Sequence, residues 1–485
     1  MIITEVPYRE PVRVFEVFRD QPYSFFLDSG MDPERLGRYS LLGGDPFLVF
    51  KSKGEKAAVF EDGIWREMKG SPFQILRELM KRYTVASDPR LPVTAGAFGY
   101  FAYDLGWQIE KLPQMAVDDL GLPDCYLGFY DRLVVYDNLQ GKMYLTSTGL
   151  PEQGEKAAAR ARQRLDELEE MVYTGVDWKD ASGQSGLQIG CEQGKDLVKE
   201  QPEIYGHFTY DTYCAAVQKV KDYIRTGDIL QANFTQRFSC RLQDNPWQLY
   251  QRLRKINPAP FAAYLHYPEL DIASASPERF IKVNDGYVET RPIKGTRPRG
   301  KNNSEDLRLR KELIESKKDQ NELAMITELE RRELERVCSP GSVDVPEVFR
   351  LEEYPTVFHL VSTVRGELAQ DKDVIDLLLN TFPGGSITGT PKIRSMEIIE
   401  ELEPVKRGIY TGSIGYLGFD GNVDLSIVIR TFIIKDGTAY FQVGGGITSG
   451  SDPDSEYWET IDKARALLDA LGCAEEVKVC QVSPG

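Results

Sequence analysis

Lys294 is the residue of this sequence best suited to covalent or acid–base chemistry. Three arginines, Arg291, Arg297 and Arg299, lie close to it along the chain. Neighbouring cations disfavour the ammonium form, so the cluster suits an anion and a lysine of lowered pKa, whose neutral amine can act as nucleophile or base. Glu278 lies across a predicted hairpin from this run and is a candidate for the paired acid. The alternative interpretation is a solvated basic turn without chemistry.

Two pairs of acidic residues recur at helical spacing in separate parts of the chain. Asp319 and Glu322 are three positions apart, and so are Glu456 and Glu459, with Lys463 four positions after Glu459. Residues at this spacing share one helix face. Carboxylate oxygens from two helices suit Mg²⁺, which keeps several waters and bridges to an anionic substrate. The alternative is a set of solvent-facing salt bridges, such as Glu459 with Lys463.

Two glycine-rich runs, Val443–Thr448 and Phe382–Lys392, stand before predicted helices. Such runs bring bare backbone N–H groups close to a ligand, although either run can also be only a tight turn. Neither matches a Walker or dinucleotide fingerprint. Arg430 and Tyr440 add a guanidinium fork and a hydroxyl that suit a carboxylate. These features favour a site for an anionic ligand.

Composition narrows the class of protein. The 485 residues include 59 Lys and Arg against 75 Asp and Glu, which gives a net charge of −16. An acidic chain argues against nucleic acid as a partner, since phosphate binding needs a basic surface. No apolar run reaches the roughly 18 residues of a membrane span, and no signal-like stretch opens the sequence. Seven cysteines without a CxxC pair and three histidines argue against a disulfide framework and a multi-histidine metal site, so we expect a cytoplasmic protein.

The order of predicted elements indicates an α+β protein with antiparallel sheets, because strands and helices come in blocks. Short β-prone runs, Val12–Val17 among them, make residues 1–175 an N-terminal β-rich subdomain. We interpret 176–206 as a connector, 207–475 as the catalytic region and 476–485 as a tail. In the catalytic region, apolar spacing predicts a helix that ends at Gly227, and Pro391 and Pro453 are predicted as first helical residues.

A nine-residue pattern occurs once in each half of the chain. Residues 96–104 and 412–420 both fit GxxGYxx(Y/F)D. Two unrelated hairpins can share such a pattern by coincidence. The alternative is an old duplication, in which both halves contribute a sheet to one shared body.

Taken together, the motifs resemble those of the chorismate-utilising enzymes, a family of anthranilate synthase large subunits, aminodeoxychorismate synthase component I, and isochorismate and salicylate synthases. The resemblance is strong from His207 to about Leu471 and weaker in the N-terminal half. Its seven ordered motifs are GDILQANFTQRF from Gly227, SPERF from Ser276, PIKGTRPRG from Pro292, HLVS from His359, SITGTPK from Ser386, IRT from Ile429, and SDP through EYWET from Ser451.

The resemblance implies a fold and a cofactor. The fold is a large two-layered body with antiparallel sheets facing each other and helices outside. The substrate is chorismate, whose ring carboxylate would be clamped by Mg²⁺. In this sequence the metal ligands implied by the resemblance are Glu322 and Glu459, with Asp319 and Glu456 in support.

The resemblance also implies roles for single residues. Lys294 would be the nucleophile, Glu278 the acid that protonates a departing hydroxyl, and His359 a group that orients the ring. The further substrate contacts implied by the resemblance are Gly295, Thr296, Thr388, Arg430, Tyr440, Gly444, Gly446 and Lys463.

One residue distinguishes members of the family. Anthranilate synthases usually carry alanine where Lys294 stands, whereas the PIKGT form resembles aminodeoxychorismate synthase component I. Isochorismate synthases have a water-activating lysine where this chain has Gln231. The resemblance therefore implies amination of chorismate to 4-amino-4-deoxychorismate through a covalent Lys294 adduct, on the way to 4-aminobenzoate and folate. An anthranilate synthase large subunit is the alternative, and a non-catalytic scaffold would require Lys294 and the acids to be idle.

The implied reaction consumes ammonia, and the sequence shows no glutaminase signature. It has neither a nucleophilic cysteine in a glycine-rich elbow nor a spare histidine partner. We therefore expect a separate glutamine amidotransferase subunit to supply the ammonia, with free ammonium salts as a weaker substitute.

Two stretches depart from the family pattern. The run after Glu322, usually Val-Asp-Leu-x-Arg-Asn-Asp-Leu, reads TELERREL at 327–334, which changes the packing expected beside the metal site. The Leu-Leu-Glu-Ser motif tied to tryptophan feedback in anthranilate synthases reads FLDS at 26–29. Tryptophan as a structural or a regulatory ligand stays an open alternative, although the changed motif argues against feedback inhibition, and its pocket would include Ser29, Asn257, Pro258 and Phe261.

Overall fold

Two large sheets, one of 13 and one of 12 strands, dominate the part of the chain that the computed structural model describes, residues 1–175, 202–354, 357–473 and 479–481. The helices are α1 (Pro11–Phe15), α2 (Pro72–Arg82), α3 (Gly154–Thr174), α4 (Tyr210–Thr226), α5 (Pro246–Ile256), α6 (Asn303–Glu315), α7 (Lys317–Leu334), α8 (Val374–Thr381), α9 (Lys392–Leu402) and α10 (Pro453–Leu471).

The strands are β1 (Ile2–Val6), β2 (Phe25–Asp28), β3 (Tyr39–Gly43), β4 (Leu48–Lys53), β5 (Lys56–Glu61), β6 (Ile64–Lys69), β7 (Gly96–Phe101), β8 (Cys125–Tyr130), β9 (Arg132–Asp137), β10 (Lys142–Ser147), β11 (Ile204–Gly206), β12 (Gln231–Arg241), β13 (Phe261–Tyr267), β14 (Leu270–Ser276), β15 (Arg279–Asn284), β16 (Tyr287–Thr290), β17 (Ile293–Pro298), β18 (Asp344–Glu353), β19 (Val357–Glu367), β20 (Gly389–Thr390), β21 (Ser413–Gly418), β22 (Val423–Ile427), β23 (Thr431–Lys435), β24 (Thr438–Ile447) and β25 (Val479–Gln481).

Each sheet contains strands from both halves of the chain. The first sheet runs β1-β10-β9-β3-β2-β13-β14-β23-β24-β12-β11-β25, with β20 paired to β12. The second runs β17-β19-β16-β15-β22-β21-β7-β8-β4-β5-β6, with β18 paired to β19. Described neighbours pair antiparallel except β11 and β25, which are parallel. The two halves therefore meet inside both sheets, at β2–β13 and at β21–β7.

Apolar side chains fill the space between the sheets. Phe25 of the first sheet stacks on Phe98 of the second with ring centroids 4.3 Å apart, and Tyr267 stacks on Tyr126 at the same distance. The first sheet packs against α1, α3, α4, α5, α9 and α10, and the second against α2, α7 and α8. This arrangement confirms the predicted α+β body with facing antiparallel sheets and helices outside.

The repeated pattern forms the seam of the second sheet. The strands β7 and β21 pair with each other, and the central glycines Gly99 and Gly415 lie directly opposite. Both have φ of +154°. A Cβ at Gly99 would be 2.0 Å from the Tyr126 carbonyl oxygen, and one at Gly415 would be 2.0 Å from that of Asp424. The equivalent geometry of the two strands favours a duplication over coincidence.

Most of the predicted elements are present, with two local errors. The helix predicted to end at Gly227 is α4, and Gly227 adopts the left-handed conformation typical of a helix stop. The predicted strand over 12–17 is instead α1, because Pro11 starts the helix and the Glu10 side chain caps it by accepting from the Arg13 N–H. Pro391 is the residue before α9, not its first helical residue.

The predicted connector and tail lie largely outside the described residues. Their described parts form β11 and β25. None of the helices in the described ranges combines the length and the apolar character that a membrane crossing requires.

Candidate active site

Gly295 brings the lysine-bearing strand β17 against helix α7. The pairing of β17 with β19 shifts register between Lys294 and Thr296, and Gly295 at the shift has φ of +79°. A Cβ there would lie 2.9 Å from Cγ of Asp319 on α7. Because a side chain would collide, only glycine allows the strand to approach the acidic face of α7 this closely.

The amine of Lys294 lies inside the protein and not in bulk solvent. Its Nζ donates a hydrogen bond to the backbone carbonyl of Ser386 at 3.0 Å. Burial lowers the pKa of Lys294, and the positive charge of Lys463 lowers it further, whereas Glu322, Glu278 and Glu459 oppose the change. Lys294, Glu322 of the first acid pair, and Glu459 and Lys463 of α10 therefore belong to one cluster.

The neighbouring arginines are not the cause of this lowered pKa, contrary to the argument from sequence. Arg297 contacts Asp319 at 3.1 Å, Arg299 binds Asp306 at 2.7 Å, and Arg291 pairs with Glu352. Acidic partners that stand 7, 22 and 61 positions away along the chain thus neutralise these arginines. The pKa of Lys294 is therefore lowered mainly by desolvation and not, as the sequence pattern suggested, by repulsion from the arginines.

Glu278 is buried beside Lys294. Only 6% of its surface is exposed, and burial raises the pKa of its carboxyl. Hydrogen bonds from the Ser386 hydroxyl and the Ile293 backbone, together with the charge of Lys294, act to lower it. Ser386 thus contacts both groups, because its carbonyl accepts from Lys294 and its hydroxyl donates to Glu278. The sequence analysis did not single out this serine, although it begins one of the recognised motifs.

The two acid-bearing helices converge on the lysine. Burial raises the pKa of Glu322, and the nearby carboxylates of Asp319 and Glu456 add to the rise while Lys294 opposes it. Burial also acts to raise the pKa of Glu459, but its ion pair with Lys463, at 2.7 Å, lowers it overall. Glu459 of the second predicted acid pair therefore forms the expected salt bridge with Lys463, and its side chain is 48% exposed.

The carboxylates near Lys294 could contribute to binding a cation, but they do not form a complete metal site by themselves. Within the described ranges, no three His, Cys, Asp or Glu side chains converge closely enough to hold a metal ion alone. Oε1 of Glu322 is nevertheless buried with no hydrogen-bond partner among the described residues. An orphaned carboxylate oxygen in a cluster of acids fits Mg²⁺, which commonly takes one or two carboxylates and completes its shell with water and substrate oxygens.

Arg430 lies near a tyrosine that the sequence analysis did not name. Burial lowers the pKa of Arg430, and the hydroxyl of the buried Tyr410 opposes that change. The predicted partner, Tyr440, instead has its ring 5.7 Å from the guanidinium of Arg237. Tyr410 stands 20 residues before Arg430, and no spacing rule links the two, so only the fold brings them together.

His359 is neutral in this environment. Burial, assisted by the positive charge of Arg430, lowers its pKa to about 4. Its Nδ1 lies 2.9 Å from the hydroxyl of Thr296, and its ring packs edge-on against Tyr354 at 5.5 Å. The Tyr354 hydroxyl donates to Glu352 at 2.7 Å. Thr296 and His359, predicted from separate motifs, are therefore direct neighbours.

The remaining predicted substrate contacts have structural partners. Lys463 donates to the Gly444 carbonyl at 2.9 Å, which ties α10 to β24. A Cβ at Gly444 would lie 2.3 Å from the Phe234 carbonyl, and one at Gly446 would lie 2.1 Å from the Gln231 amide. The hydroxyl of Thr388 donates to the Gly384 carbonyl at 3.0 Å. Both glycines therefore permit close packing of β24 on β12.

A cavity of about 650 Å³ lies against the strands β2 and β13. Ser29 and Phe261 line it, as does Arg279, whose guanidinium lies 5.0 Å from the Phe261 ring. Asn257 and Pro258 are absent from its lining, and the Asn257 side chain donates to the Ala275 carbonyl. Two of the four residues predicted for a tryptophan pocket thus share one cavity.

Comparison with known proteins gives evidence about the family that is independent of the site geometry. Residues 26–469 match the family described as chorismate binding enzyme. The sequence is 40% identical over 472 residues to anthranilate synthase component 1 of Acetivibrio thermocellus, which covers 96% of this chain and 94% of that protein. It is 38% identical over 451 residues to aminodeoxychorismate synthase component 1 of Bacillus subtilis, covering 92% of each.

A solved structure shares the fold. The crystal structure of anthranilate synthase component I from Streptococcus pneumoniae TIGR4 superposes with a TM-score of 0.74 at 30% sequence identity, covering 89% of this chain and 92% of that one. At this TM-score and identity, the two chains share the fold over most of their length.

Proposed function

The chain belongs to the chorismate binding enzyme family, and within this family we propose that it is the chorismate-aminating component of an aminodeoxychorismate synthase. The observation that carries the proposal is Lys294, a lysine of lowered pKa beside the buried acid Glu278. In related anthranilate synthases the corresponding residue is usually alanine, as the motif resemblance implies. A nucleophilic amine has no evident purpose at that position if no covalent adduct forms.

Substrate binding would use the charged groups around this pair. Chorismate carries a ring carboxylate and an enolpyruvyl carboxylate. We assign the enolpyruvyl carboxylate to Arg430 and Tyr410, with Gly444, Gly446 and Lys463 nearby, and we retain Tyr440 as a more distant candidate. Neutral His359 and its partner Thr296 would line the ring without adding a charge. Gly295 and Thr388 would complete the ring side through backbone contacts.

The first chemical step pairs an acid with a nucleophile. Glu278 gives its proton to the C4 hydroxyl, because hydroxide is a poor leaving group and water a good one. The neutral amine of Lys294 forms a bond to C2, the electron pairs of the ring diene shift toward C4, and the C4–O bond breaks. Glu278 is left as a carboxylate and can accept a proton from the alkylated amine.

The second step reverses the displacement with ammonia. Ammonia forms a bond to C4, the diene shifts back, and the C2–N bond to Lys294 breaks. The product is 4-amino-4-deoxychorismate, and the lysine returns to its starting state after proton transfer. Two successive allylic displacements place the new amine on the carbon that lost the hydroxyl.

We propose Glu322 and Glu459 as Mg²⁺ ligands, with Asp319 and Glu456 in support. The bound cation would supply electrostatic neutralisation of the ring carboxylate in a protein whose net charge is −16. The ammonia would come from a separate glutamine amidotransferase subunit, as the component numbering in the names of the relatives suggests.

The test is product analysis with purified protein, chorismate, Mg²⁺ and an ammonium salt. We expect a product that yields 4-aminobenzoate only after a lyase is added. Fluorescent anthranilate with equimolar pyruvate would instead establish the alternative, an anthranilate synthase large subunit, which the 40% identical relative favours. Mass spectrometry of the protein mixed with chorismate in the absence of ammonia should locate a covalent increment on the peptide that contains Lys294.

A further inference from the structure

A second buried acid, Glu330, lies behind the Lys294–Glu278 pair. It is on α7, 8% exposed, and it stands in the stretch 327–334 where the sequence departs from the family pattern. Its Oε1 lies 3.6 Å from the position that a Cβ of Gly385 would take. Gly385 begins the short turn Gly385–Ile387. The next residue of that turn, Ser386, contacts both Lys294 and Glu278.

The hydrogen bonds around Thr290 indicate that Glu330 carries a proton. The Thr290 hydroxyl oxygen lies 2.8 Å from the Phe280 carbonyl and 2.9 Å from Oε2 of Glu330. A hydroxyl has one hydrogen and cannot donate it to two acceptors at full strength. If Thr290 donates to Phe280, the contact with Glu330 is a hydrogen bond only when the carboxyl of Glu330 supplies the hydrogen.

Lys392, the cation that acts on Glu330, already uses all of its hydrogen-bond donors. The ammonium of Lys392 contacts Oε1 of Glu333 at 2.5 Å and the carbonyls of Thr381 and Pro383 at 2.9 and 2.7 Å. These three contacts use its three N–H donors. Glu333, one helical turn from Glu330, is therefore the anionic partner of Lys392, and this lysine has no donor left to compensate a charge on Glu330.

Electrostatics agree with the hydrogen-bond pattern. Burial raises the pKa of Glu330 to about 8, and the negative charges of Glu333 and Glu278 contribute to the rise, against the Thr290 contact and Lys392. These are the charged groups that face Glu330 from α7, from the segment before β15 and from α9. A neutral Glu330 also avoids a second negative charge behind Glu278.

We infer that Glu330 is a positioning residue that holds a proton at neutral pH, donates it to Thr290, and so braces β16 and the Gly385–Ile387 turn against which Lys294 and Glu278 are held. It touches no substrate atom. The inference rests on the proposed function only in that the braced pair performs the chemistry. The protonation of Glu330 itself is independent of which product the enzyme makes.

The test compares E330Q with the matched variant E333Q. Glutamine is close to a neutral glutamic acid in shape and can still donate to Thr290. In wild-type protein a folded-state pKa raised to about 8 means that stability is lost as pH rises from about 4.5 to 8, because the unfolded chain releases the proton first. We therefore expect the thermal stability of E330Q, relative to that of wild type, to increase as pH rises over this range. E333Q should be destabilised at every pH at which Glu333 is ionised in the wild type, because it removes the anionic partner of the largely buried Lys392.

Enzyme activity provides a second test of the inference. The protonated fraction of Glu330 falls from about nine-tenths at pH 7 to about one-tenth at pH 9. Chorismate consumption by E330Q, relative to wild type, should accordingly rise up to about ten-fold between these two pH values. Consumption counts any product, so a wrong choice between amination products does not affect the result. A ratio that stays flat, or falls, overturns the inference.

Infrared spectroscopy of the folded wild-type protein at pH 7 keeps the inference testable if E330Q does not fold. A protonated carboxyl should give a C=O stretch that shifts in T290V, where its acceptor is removed, and that disappears above pH 9. If T290V leaves every such band unchanged, Glu330 does not donate to Thr290 and the inference is wrong.

Discussion

The two halves of the molecule have closely similar strand arrangements and different chemistry. From the seam at β7–β21, the second sheet extends through β8, β4, β5 and β6 on the N-terminal side and through β22, β15, β16 and β19 on the C-terminal side. All of the lysine, acid and arginine residues of the candidate site come from the C-terminal half of the chain. The N-terminal half supplies β7, one of the two seam strands, and part of the packing between the sheets. A duplicated framework can therefore be shared while only one copy carries a site.

The asymmetry has a local cause. At the C-terminal end of the second sheet, β17 and β19 are covered by α7, and Gly295 allows them to approach its acidic face. At the other end, β6 is an exposed edge strand. A lysine on β6 is solvated, whereas Lys294 is desolvated among carboxylates. The same residue type thus has different chemistry because one strand end is covered and the other is not.

Replacing Lys294 by alanine should have the largest effect. We expect chorismate amination to fall by roughly 10³-fold or more, because the covalent route is removed. Lys69→Ala, on the exposed strand β6 of the N-terminal half, is the matched control and should leave the rate within two-fold, as surface changes usually do. Steady-state assays of both variants with ammonium as nitrogen donor would check this. An active Lys294→Ala enzyme would mean that the lysine is only structural.

Glu278→Gln should have the second largest effect, a loss of about 10²–10⁴-fold in amination rate, which is the range typical of a general acid. The fold should persist, since glutamine can still accept the hydrogen bond from Ser386. Burial raises the pKa of Glu278, so wild-type activity should decline on the alkaline side as the acid ionises, and this limb should be absent in the residual activity of the variant. A pH–rate profile of both proteins measures the difference, and identical profiles would exclude the assigned role.

The seam glycines test the framework itself. Gly99→Ala and Gly415→Ala each place a Cβ about 2.0 Å from a backbone oxygen, at φ of +154°. We expect each to lower the free energy of unfolding by about 2–4 kcal/mol and by similar amounts, since both force backbone movement in a packed sheet. Urea denaturation followed by circular dichroism compares the two. A loss confined to one variant would show that the halves are not equivalent at the seam.

Replacing His359 should give the smallest effect, a change in protein stability at acidic pH. Its folded-state pKa of about 4 lies below the usual value near 6.5, so the unfolded chain binds the proton first as pH falls. Wild-type stability should therefore decline between about pH 6.5 and 4, and His359→Gln should remove part of that decline. Thermal unfolding at several pH values measures it. His266, whose pKa is raised by its contact with Asp271, is the control, because His266→Gln should not reduce the acid-side loss.

The sequence alone predicts the class of fold and most residues of the candidate site, although it does not point to Ser386 or Tyr410. Motif order identified Lys294, Glu278 and both acid pairs, and helical spacing put each pair on one face, because these relations are local. Long, strongly periodic segments such as α3 and α4 were also predictable. The short segment at 11–15 was not, because its β-branched residues suggest a strand while a proline and a capping glutamate start a helix.

The burial and the charged neighbours of those residues depend on the tertiary structure. Desolvation, not the adjacent arginines, lowers the pKa of Lys294, and the arginines are neutralised by partners such as Glu352 that no local pattern connects to them. Likewise, Tyr410 meets Arg430, and Glu330 meets Thr290, only through the folding of separate segments into one layer. Spacing along a chain fixes neighbours within one helix or strand, but burial and charge depend on what other segments cover, and this requires the folded protein.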